Sequence, residues 1–323
     1  MTAGLPPTRI LLVGLGSISA VHVQALSTMR GVDVVAGVDI AAGKTLQFQG
    51  ESRPVERQLS AALDRHGCDV VIVATPSRTH ADVCDEILSH PRDVAVLVEK
   101  PLATDLDAAA GVLSRAERAG RVVRVLYHAE HGSEVLWAEA CMQQLVDEHG
   151  PVQHVDAWVS DPYAGLPEER RAALVSSWID GGVNALSVID RLVEVESIEA
   201  LRRIPEHDST FEARLTARSP EAGATATIVT SWQVTEPAKS SRFEFDDGAA
   251  LILEHQAVSG RVVSDGRVVA MTGNGGARPR LFNHYQSVFS SVLVGGVRAA
   301  FERDLRVHTL LLSRWTTESA DSS

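Results

Sequence analysis

The strongest constraint on the fold is a short apolar run that ends on glycines and opens into a helix. Residues 9–13 (RILLV) read as a buried strand, Gly14-Leu15-Gly16-Ser17-Ile18-Ser19 follows at once, and residues 18–29 have helical character. Missing side chains at Gly14 and Gly16 let the backbone turn tightly and approach a bound group, and the N-terminus of the next helix favours an anion there. Ser19 stands where a third small residue, usually Gly or Ala, closes such a turn. Asp39 lies 20 positions beyond Ser19, at the end of the apolar segment VDVVAGV. Strand, glycine turn, helix and strand-terminal acid together predict a dinucleotide site, with Gly14, Gly16, Ser17 and Ile18 at the pyrophosphate and Asp39 on the adenosine ribose hydroxyls.

The same grammar recurs. Apolar runs at 32–38, 70–74, 94–98 and 122–126 alternate with helical stretches at 79–89 and 105–119. Continuous Val-rich strands are buried on both faces, the habit of a parallel sheet covered by helices, and right-handed crossovers make a doubly wound sheet the natural topology. After Tyr127 the pattern changes to a helix at 133–148, a polar loop at 160–177, a helix from about Asp180, and then mostly alternating strands. Residues 225–234 and 242–253, with turn signals at Asp246-Asp247-Gly248 and Asp265-Gly266, read as hairpins. The predicted fold class is therefore α/β: an N-terminal Rossmann domain with a doubly wound parallel sheet (1–127), plus a C-terminal α+β domain with an open, mostly antiparallel sheet (128–323) for substrate binding and oligomerisation. An uncovered sheet face predicts a homo-oligomer, dimer or tetramer, through that face. Residues 318–323 read as a disordered tail.

Charge and cysteine usage exclude several classes. A formal net charge of -12 disfavours nucleic acid, which requires clustered Lys and Arg. Cys68, Cys84 and Cys141 form no C-x-x-C pair, so the expectation is buried thiols with neither metal nor disulfide. Residues 1–8 hold no basic n-region, and no stretch approaches the ~20 apolar residues of a membrane span, so a cytoplasmic protein with no membrane partner is expected.

Glu99-Lys100-Pro101 follows the buried strand VAVLV, at the carboxyl edge where such sheets place their ligands, and its X-Pro bond is open to cis geometry. The chain has 27 Arg but only three Lys, at 44, 100 and 239, so an ammonium at this edge is suggestive. Lys, unlike Arg, can lose its proton, as a general base for an alcohol must. Asp39 would repel a 2'-phosphate and favours NAD over NADP, while Lys44 in the following loop offsets that repulsion and keeps NADP open.

GLGSIS with His22, then ATPSRTH (74–80), then EKP resemble, in order and spacing, the glucose-fructose oxidoreductase and inositol dehydrogenase family (Gfo/Idh/MocA). The resemblance covers nearly the whole chain. It implies that Thr75, Pro76, His80, Glu99 and Lys100 line the nicotinamide end of the site, with Lys100 touching the reacting substrate oxygen. The family's second-domain motif places Asp, Gly and His at two-residue steps; here Asp180-Gly181-Gly182-Val183-Asn184 puts an amide at the His position. An amide exchanges no proton near neutral pH. The DxGxNALS form resembles the galactose and arabinose 1-dehydrogenase branch, as does the stretch 284–312, and implies that Asp180 and Asn184 contact the sugar at its reacting end. His128 matches a substrate-facing His of that branch, and Trp158 and Trp178 stand either as platforms for a sugar face or as core. The loop 160–177, with Glu168-Glu169-Arg170-Arg171, departs from that branch's aromatic and His-rich segment.

The implied reaction is NAD(P)-dependent oxidation at a carbinol carbon of a sugar-like molecule, C1 of an aldose being favoured, with Lys100 and Asp180 sharing the proton work and either serving as base. Reduction of a keto sugar, imine or natural-product intermediate uses the same residues. A non-catalytic NAD(H)-binding regulator is the reading from another class. Asp39→Ala is expected to lower the preference for NAD over NADP by about tenfold, the equivalent of ~1.4 kcal/mol, in parallel dinucleotide titrations.

Overall fold

The computed structural model describes residues 6–205, 209–219, 222–273, 276, 278–294 and 301–315. The tail at 318–323 lies outside the described residues. The chain forms two compact units, Met1–Leu126 with Tyr285–Leu305, and Tyr127–His284 with Arg306–Ser323.

In the first unit the chain runs β1 (Thr8–Val13), α1 (Ser17–Leu26), β2 (Val32–Val38), β3 (Leu46–Phe48), β4 (Glu51–Arg53), β5 (Val55–Glu56), α2 (Leu59–Arg65), β6 (Val70–Val73), α3 (His80–Ser89), β7 (Ala95–Glu99), α4 (Leu106–Ala119) and β8 (Val123–Leu126). Six strands form a parallel sheet in the order β5-β2-β1-β6-β7-β8. Its apolar strands are buried on both faces, β6 and β8 throughout, which is why β6 reads as an unbroken Val and Ile run, while β8 is interrupted by the buried Arg124. The order reverses between β1 and β6, and that switch point is where an open α/β sheet leaves a crevice at its carboxyl edge.

Three features depart from the sequence expectation. Helix α1 stops at Leu26 rather than Met29, because the Ser27 and Thr28 hydroxyls donate back to the Gln24 and Ala25 carbonyls and compete with helical bonding. The β3–β4 hairpin and the seven-residue α2 are too short to announce themselves by period. A single boundary at 127 also fails, because Tyr285–Leu305 returns to the first unit. The return is fixed by Asp304, whose carboxylate accepts from Arg124 Nε at 2.6 Å and from the Val125 backbone N–H at 3.0 Å, all buried. Such a pairing across 180 positions leaves no local pattern.

In the second unit the chain continues with α5 (Ser133–His149), β9 (Val152–Ser160), α6 (Glu168–Leu174), α7 (Val183–Leu192) and seven further strands: β10 (Glu194–Arg203), β11 (Thr210–Ser219), β12 (Ala222–Ser231), β13 (Ala238–Phe245), β14 (Ala250–Glu254), β15 (Ser259–Ser264) and β16 (Arg267–Gly273). These make an eight-stranded sheet in the order β10-β11-β12-β9-β13-β14-β15-β16, antiparallel except for the β12–β9 pair. Burial alternates along β11, β12 and β13, with α5 packed on β14–β16 and α7 on β9 and β10, so one face is covered and the other open. Within the expected polar loop, Glu168–Leu174 forms helix α6, with Pro167 at its N-cap. Two more helices, α8 (Arg280–Phe289) and α9 (Phe301–Leu312), follow. Among the described residues no single helix is long and apolar enough to cross a membrane.

Asp304→Ala would leave the Arg124 guanidinium buried without its carboxylate, a change that typically costs about 3–5 kcal/mol. Urea unfolding of the variant is expected to show a loss of that size.

Candidate active site

The cradle at the switch point is built by two close approaches. Gly14 has φ +90°, and a Cβ there would sit 2.6 Å from the Ala74 carbonyl oxygen and 2.8 Å from the Thr75 nitrogen. Only glycine lets the turn after β1 touch the end of β6. Gly16 has open space where its Cβ would stand, and it caps α1 with no side-chain hydrogen bond and no acidic residue in the first turn. The first-turn N–H groups at Ser17 and Ile18, with no Cβ at Gly16 beside them, fit a pyrophosphate. Ser19 is buried and donates to the Gly16 carbonyl at 2.6 Å, so the third small residue locks the turn from inside.

Asp39 stands beside this turn. One carboxylate oxygen accepts from the Leu15 N–H at 2.8 Å and the other from Ala41 N–H at 2.8 Å, so the acid is held by the glycine turn on one side and by its own loop on the other. Lys44 donates to the carbonyl oxygen of the same residue, Leu15, at 3.0 Å. Arg57, which sequence reading did not single out, donates to the Ile40 carbonyl at 2.9 Å. Cations thus flank the acid that would meet a ribose.

Toward the nicotinamide end, the expected residues serve different roles. Glu99 is buried and its carboxylate is taken up by His22 Nε2 at 2.8 Å and Tyr285 O–H at 2.6 Å. Burial alone would raise its pKa, but hydrogen bonds from His22 and Tyr285 outweigh it and hold the group below the usual range, hence ionised. Glu99 is therefore a positioning residue that anchors the end of β7, immediately before Lys100. The Lys100–Pro101 bond is cis. His80, 1% exposed, places Nδ1 at 2.7 Å from the Pro101 carbonyl and Nε2 at 2.8 Å from the Thr75 carbonyl. Its ring staples the two loops that sequence reading put at the nicotinamide, rather than facing a ligand itself. Burial lowers its pKa against the pull of both carbonyls, so the neutral ring donates to one loop at a time.

In the second unit, Asp180 sits in a π-helical turn, Trp178–Gly182, that runs into α7. Asn184 Nδ2 donates to the Asp180 carbonyl at 3.3 Å, and its buried Oδ1 has no donor among the described residues. Trp178 is fully buried, its indole donates to the Leu311 carbonyl at 3.0 Å, and a Cβ on Gly182 would stand 2.5 Å from its ring. Of the two readings of Trp178, the core reading holds; the sugar platform does not. Trp158 on β9 is 40% exposed. His128 is buried, with Nδ1 at 3.2 Å from Nδ1 of His284. Sequence reading missed Tyr163 and Lys239. Burial, then the charges of Asp161 and Asp180, push the Tyr163 hydroxyl up to about 12, so it stays a donor near neutral pH. Lys239 is buried and paired with Asp161 at 2.5 Å, and burial lowers its pKa. Among the described residues no group of three or more His, Cys, Asp or Glu is placed to hold a metal ion.

A doubly wound sheet with a glycine turn and a strand-terminal acid at its switch point is the arrangement of a dinucleotide-binding Rossmann fold. The family described as "Oxidoreductase family, NAD-binding Rossmann fold" (GFO_IDH_MocA) matches residues 8–127, so this segment is similar to that family. Relatives include an inositol 2-dehydrogenase of Arthrobacter sp. (strain FB24), 32% identical over 146 residues, which are 44% of this chain and 41% of that protein. The rhizopine catabolism protein MocA of Rhizobium meliloti is 31% identical over 110 residues, 34% of either chain. The chain thus matches less than half the length of these relatives. An inositol dehydrogenase homolog from Azotobacter vinelandii, solved with NADH and myo-inositol, has the same fold, with TM-score 0.78, 19% identity, and 98% and 96% of the two chains covered. A biliverdin reductase from Synechocystis, solved with biliverdin and NADP+, superimposes with TM-score 0.71 at 16% identity, covering 95% of this chain and 98% of that one. One fold thus serves a polyol and a tetrapyrrole.

His80→Leu removes both carbonyl contacts while keeping an apolar filler. The variant is expected to fold and to raise the dissociation constant for NAD by ~10-fold, the cost of roughly one such hydrogen bond, in calorimetric titration.

Proposed function

We propose that this chain is an NAD(P)-dependent oxidoreductase that interconverts a carbinol and a carbonyl on a sugar-like, hydroxyl-rich substrate. The observation that carries the reading is the switch-point cradle, open above Gly16 and closed beneath by Gly14 against Ala74, with Lys100 at the end of the adjoining strand pair. Gly14, Gly16, Ser17 and Ile18 hold the pyrophosphate and Asp39 the ribose, while Thr75, Pro76 and the Lys100 loop, braced by His80 and Glu99, bound the nicotinamide end. When bound, the nicotinamide supplies the hydride acceptor or donor.

The remaining chemistry belongs to the protein. Lys100 takes the hydroxyl proton as the carbonyl forms and returns it in the reverse direction. Asp180 orients or relays that proton. Asn184 Oδ1, buried and without a donor among the described residues, is suited to accept from a substrate hydroxyl; a polyol offers that donor and an apolar substrate does not. Because Asn184 cannot titrate, the proton work falls on Lys100 and Asp180. C1 of an aldose is the favoured reacting carbon, as in the 1-dehydrogenase branch that DxGxNALS resembles, and a ring carbon of a cyclitol is the case the inositol-dehydrogenase relatives suggest. The open sheet face, with Trp158 part-exposed and Val268, Val269 and Met271 exposed along the β16 edge, is assigned to a second copy of the chain.

The test is absorbance at the reduced-nicotinamide band while NAD and then NADP are offered with aldoses, amino sugars and inositols. Turnover with one of these is expected, and Lys100→Ala is expected to lower it by at least ~10²-fold with NAD affinity within a few fold. Near-normal activity in the variant removes Lys100 as the base. Silence across the panel with dinucleotide binding confirmed replaces the dehydrogenase reading with the specialised reductase or the regulator.

A further inference from the structure

Among the described residues, two groups of side chains are left unused by the proposed reaction. The first is sealed inside the second unit. Ser241 Oγ lies 3.0 Å from His255 Nε2, His255 Nδ1 lies 2.9 Å from Glu134 Oε1, and a Cβ on Gly132 would stand 2.5 Å from both Glu134 carboxylate oxygens. These residues have the connectivity of a nucleophilic triad, yet Ser241 is 1% exposed on β13, so no substrate reaches its oxygen. The second group, Ile40 and Arg57, is open to solvent at the carboxyl edge of the first unit's parallel sheet.

Ile40 is 82% exposed, more than any other large apolar side chain among the described residues. It directly follows Asp39, and Ala41, Ala42 and Gly43 come next, so its own loop supplies no bulk to cover it. Arg57 reaches the same place from the neighbouring strand. Strands β2 and β5 are parallel with Val38 opposite Glu56, and the Asp39 N–H donates to the Glu56 carbonyl at 3.0 Å, so Ile40 and Arg57 leave the sheet side by side. A charge-assisted bond to a carboxylate is stronger than one to a carbonyl, so a guanidinium beside an acid ordinarily takes it. Here both neighbouring acids are engaged elsewhere: Glu56 by Arg65 at 2.9 Å and His66 at 3.2 Å, and Asp39 by the Leu15 and Ala41 N–H groups. Arg57 Nη2 donates instead to the Ile40 carbonyl at 2.9 Å, its one hydrogen bond among the described residues. A planar cation is thereby held beside an exposed isoleucine, one residue past the acid that would meet the ribose.

We propose that Ile40 and Arg57 are specificity-determining residues that take the adenine ring of the dinucleotide, the isoleucine as an apolar surface and the guanidinium as a planar cation stacked on the base. A purine answers both side chains, because its extended π-face attracts a guanidinium and sheds water against an apolar group. The rival ligand for Arg57 is a 2'-phosphate. That anion gains nothing from Ile40, and it would stand against Asp39, whose carboxylate two backbone hydrogen bonds hold in place. The inference rests on the dinucleotide site of the proposed function and adds to it two residues that belong to neither the glycine turn nor the acid.

The experiment is calorimetric titration with NAD, NADP and ADP-ribose, which keeps the adenosine end and lacks the nicotinamide, so no turnover substrate is needed. Both residues are exposed, and their variants are expected to fold. Arg57→Ala is expected to raise the dissociation constants for NAD and ADP-ribose together by ~5-fold, with the ratio of NAD to NADP affinity unchanged. Arg57→Lys, which keeps the charge and loses the plane, is expected to leave most of that loss in place. Ile40→Ser is expected to weaken NAD and ADP-ribose by ~3-fold. A loss confined to NADP in Arg57→Ala overturns the proposal and gives Arg57 to the 2'-phosphate. Full rescue by Arg57→Lys overturns the stacking role. Wild-type affinities for NAD and ADP-ribose in both Arg57→Ala and Ile40→Ser overturn the adenine contact and leave the dinucleotide site standing, whereas a wild-type protein that binds none of the three ligands removes the dinucleotide reading itself and the adenine contact with it.

Discussion

The first unit depends on a carboxylate held away from water. Glu99 ends β7, and the two groups that keep it ionised come from opposite ends of the chain: His22 from α1, the helix that presents the glycine turn, and Tyr285 from the segment that returns after the second unit's sheet. The His22 ring packs at 4.6 Å from Tyr285 and edge-on at 5.4 Å from Phe289, so the hydrogen bonds are enclosed by aromatic surface. An unpaired acid in that place would be costly. Satisfied, it fixes the helix that opens from the glycine turn relative to the strand that leads into Lys100, and the geometry of the proposed site follows from that pairing.

Much of this unit was legible because its physics is local. Gly14, Gly16, Ser19 and Asp39 are spaced by the lengths of one helix and one strand, and the Val-rich runs declare two-sided burial. What stayed hidden was long-range. Nothing near Tyr285 or Asp304 marks them as partners of Glu99 and Arg124, 186 and 180 positions away. Motif spacing places His80 and Glu99 near the end of β7 but says little about where their side chains point, which is toward the Pro101 and Thr75 carbonyls and toward His22 and Tyr285.

The second unit was harder to read for a related reason. Its sheet announced itself through alternation and Asp-Gly turns, yet the polar groups inside it came from elements that look ordinary in sequence: Glu134 near the start of an amphipathic helix, His255 in a turn, Ser241 on a strand. Trp178 illustrates the converse. A large aromatic beside a functional motif invites a ligand-facing role, but two glycines follow it, and Gly182 gives up its side chain to the indole face.

Gly132 carries a consequence of another kind. Its φ of -57° is open to every residue, so glycine is required there for room and not for backbone freedom. Because His255 holds the Glu134 carboxylate, the acid can admit a methyl group there only by giving up or bending that hydrogen bond. The glycine and the glutamate are therefore coupled: a side chain at 132 and the His255–Glu134 hydrogen bond compete for the same space.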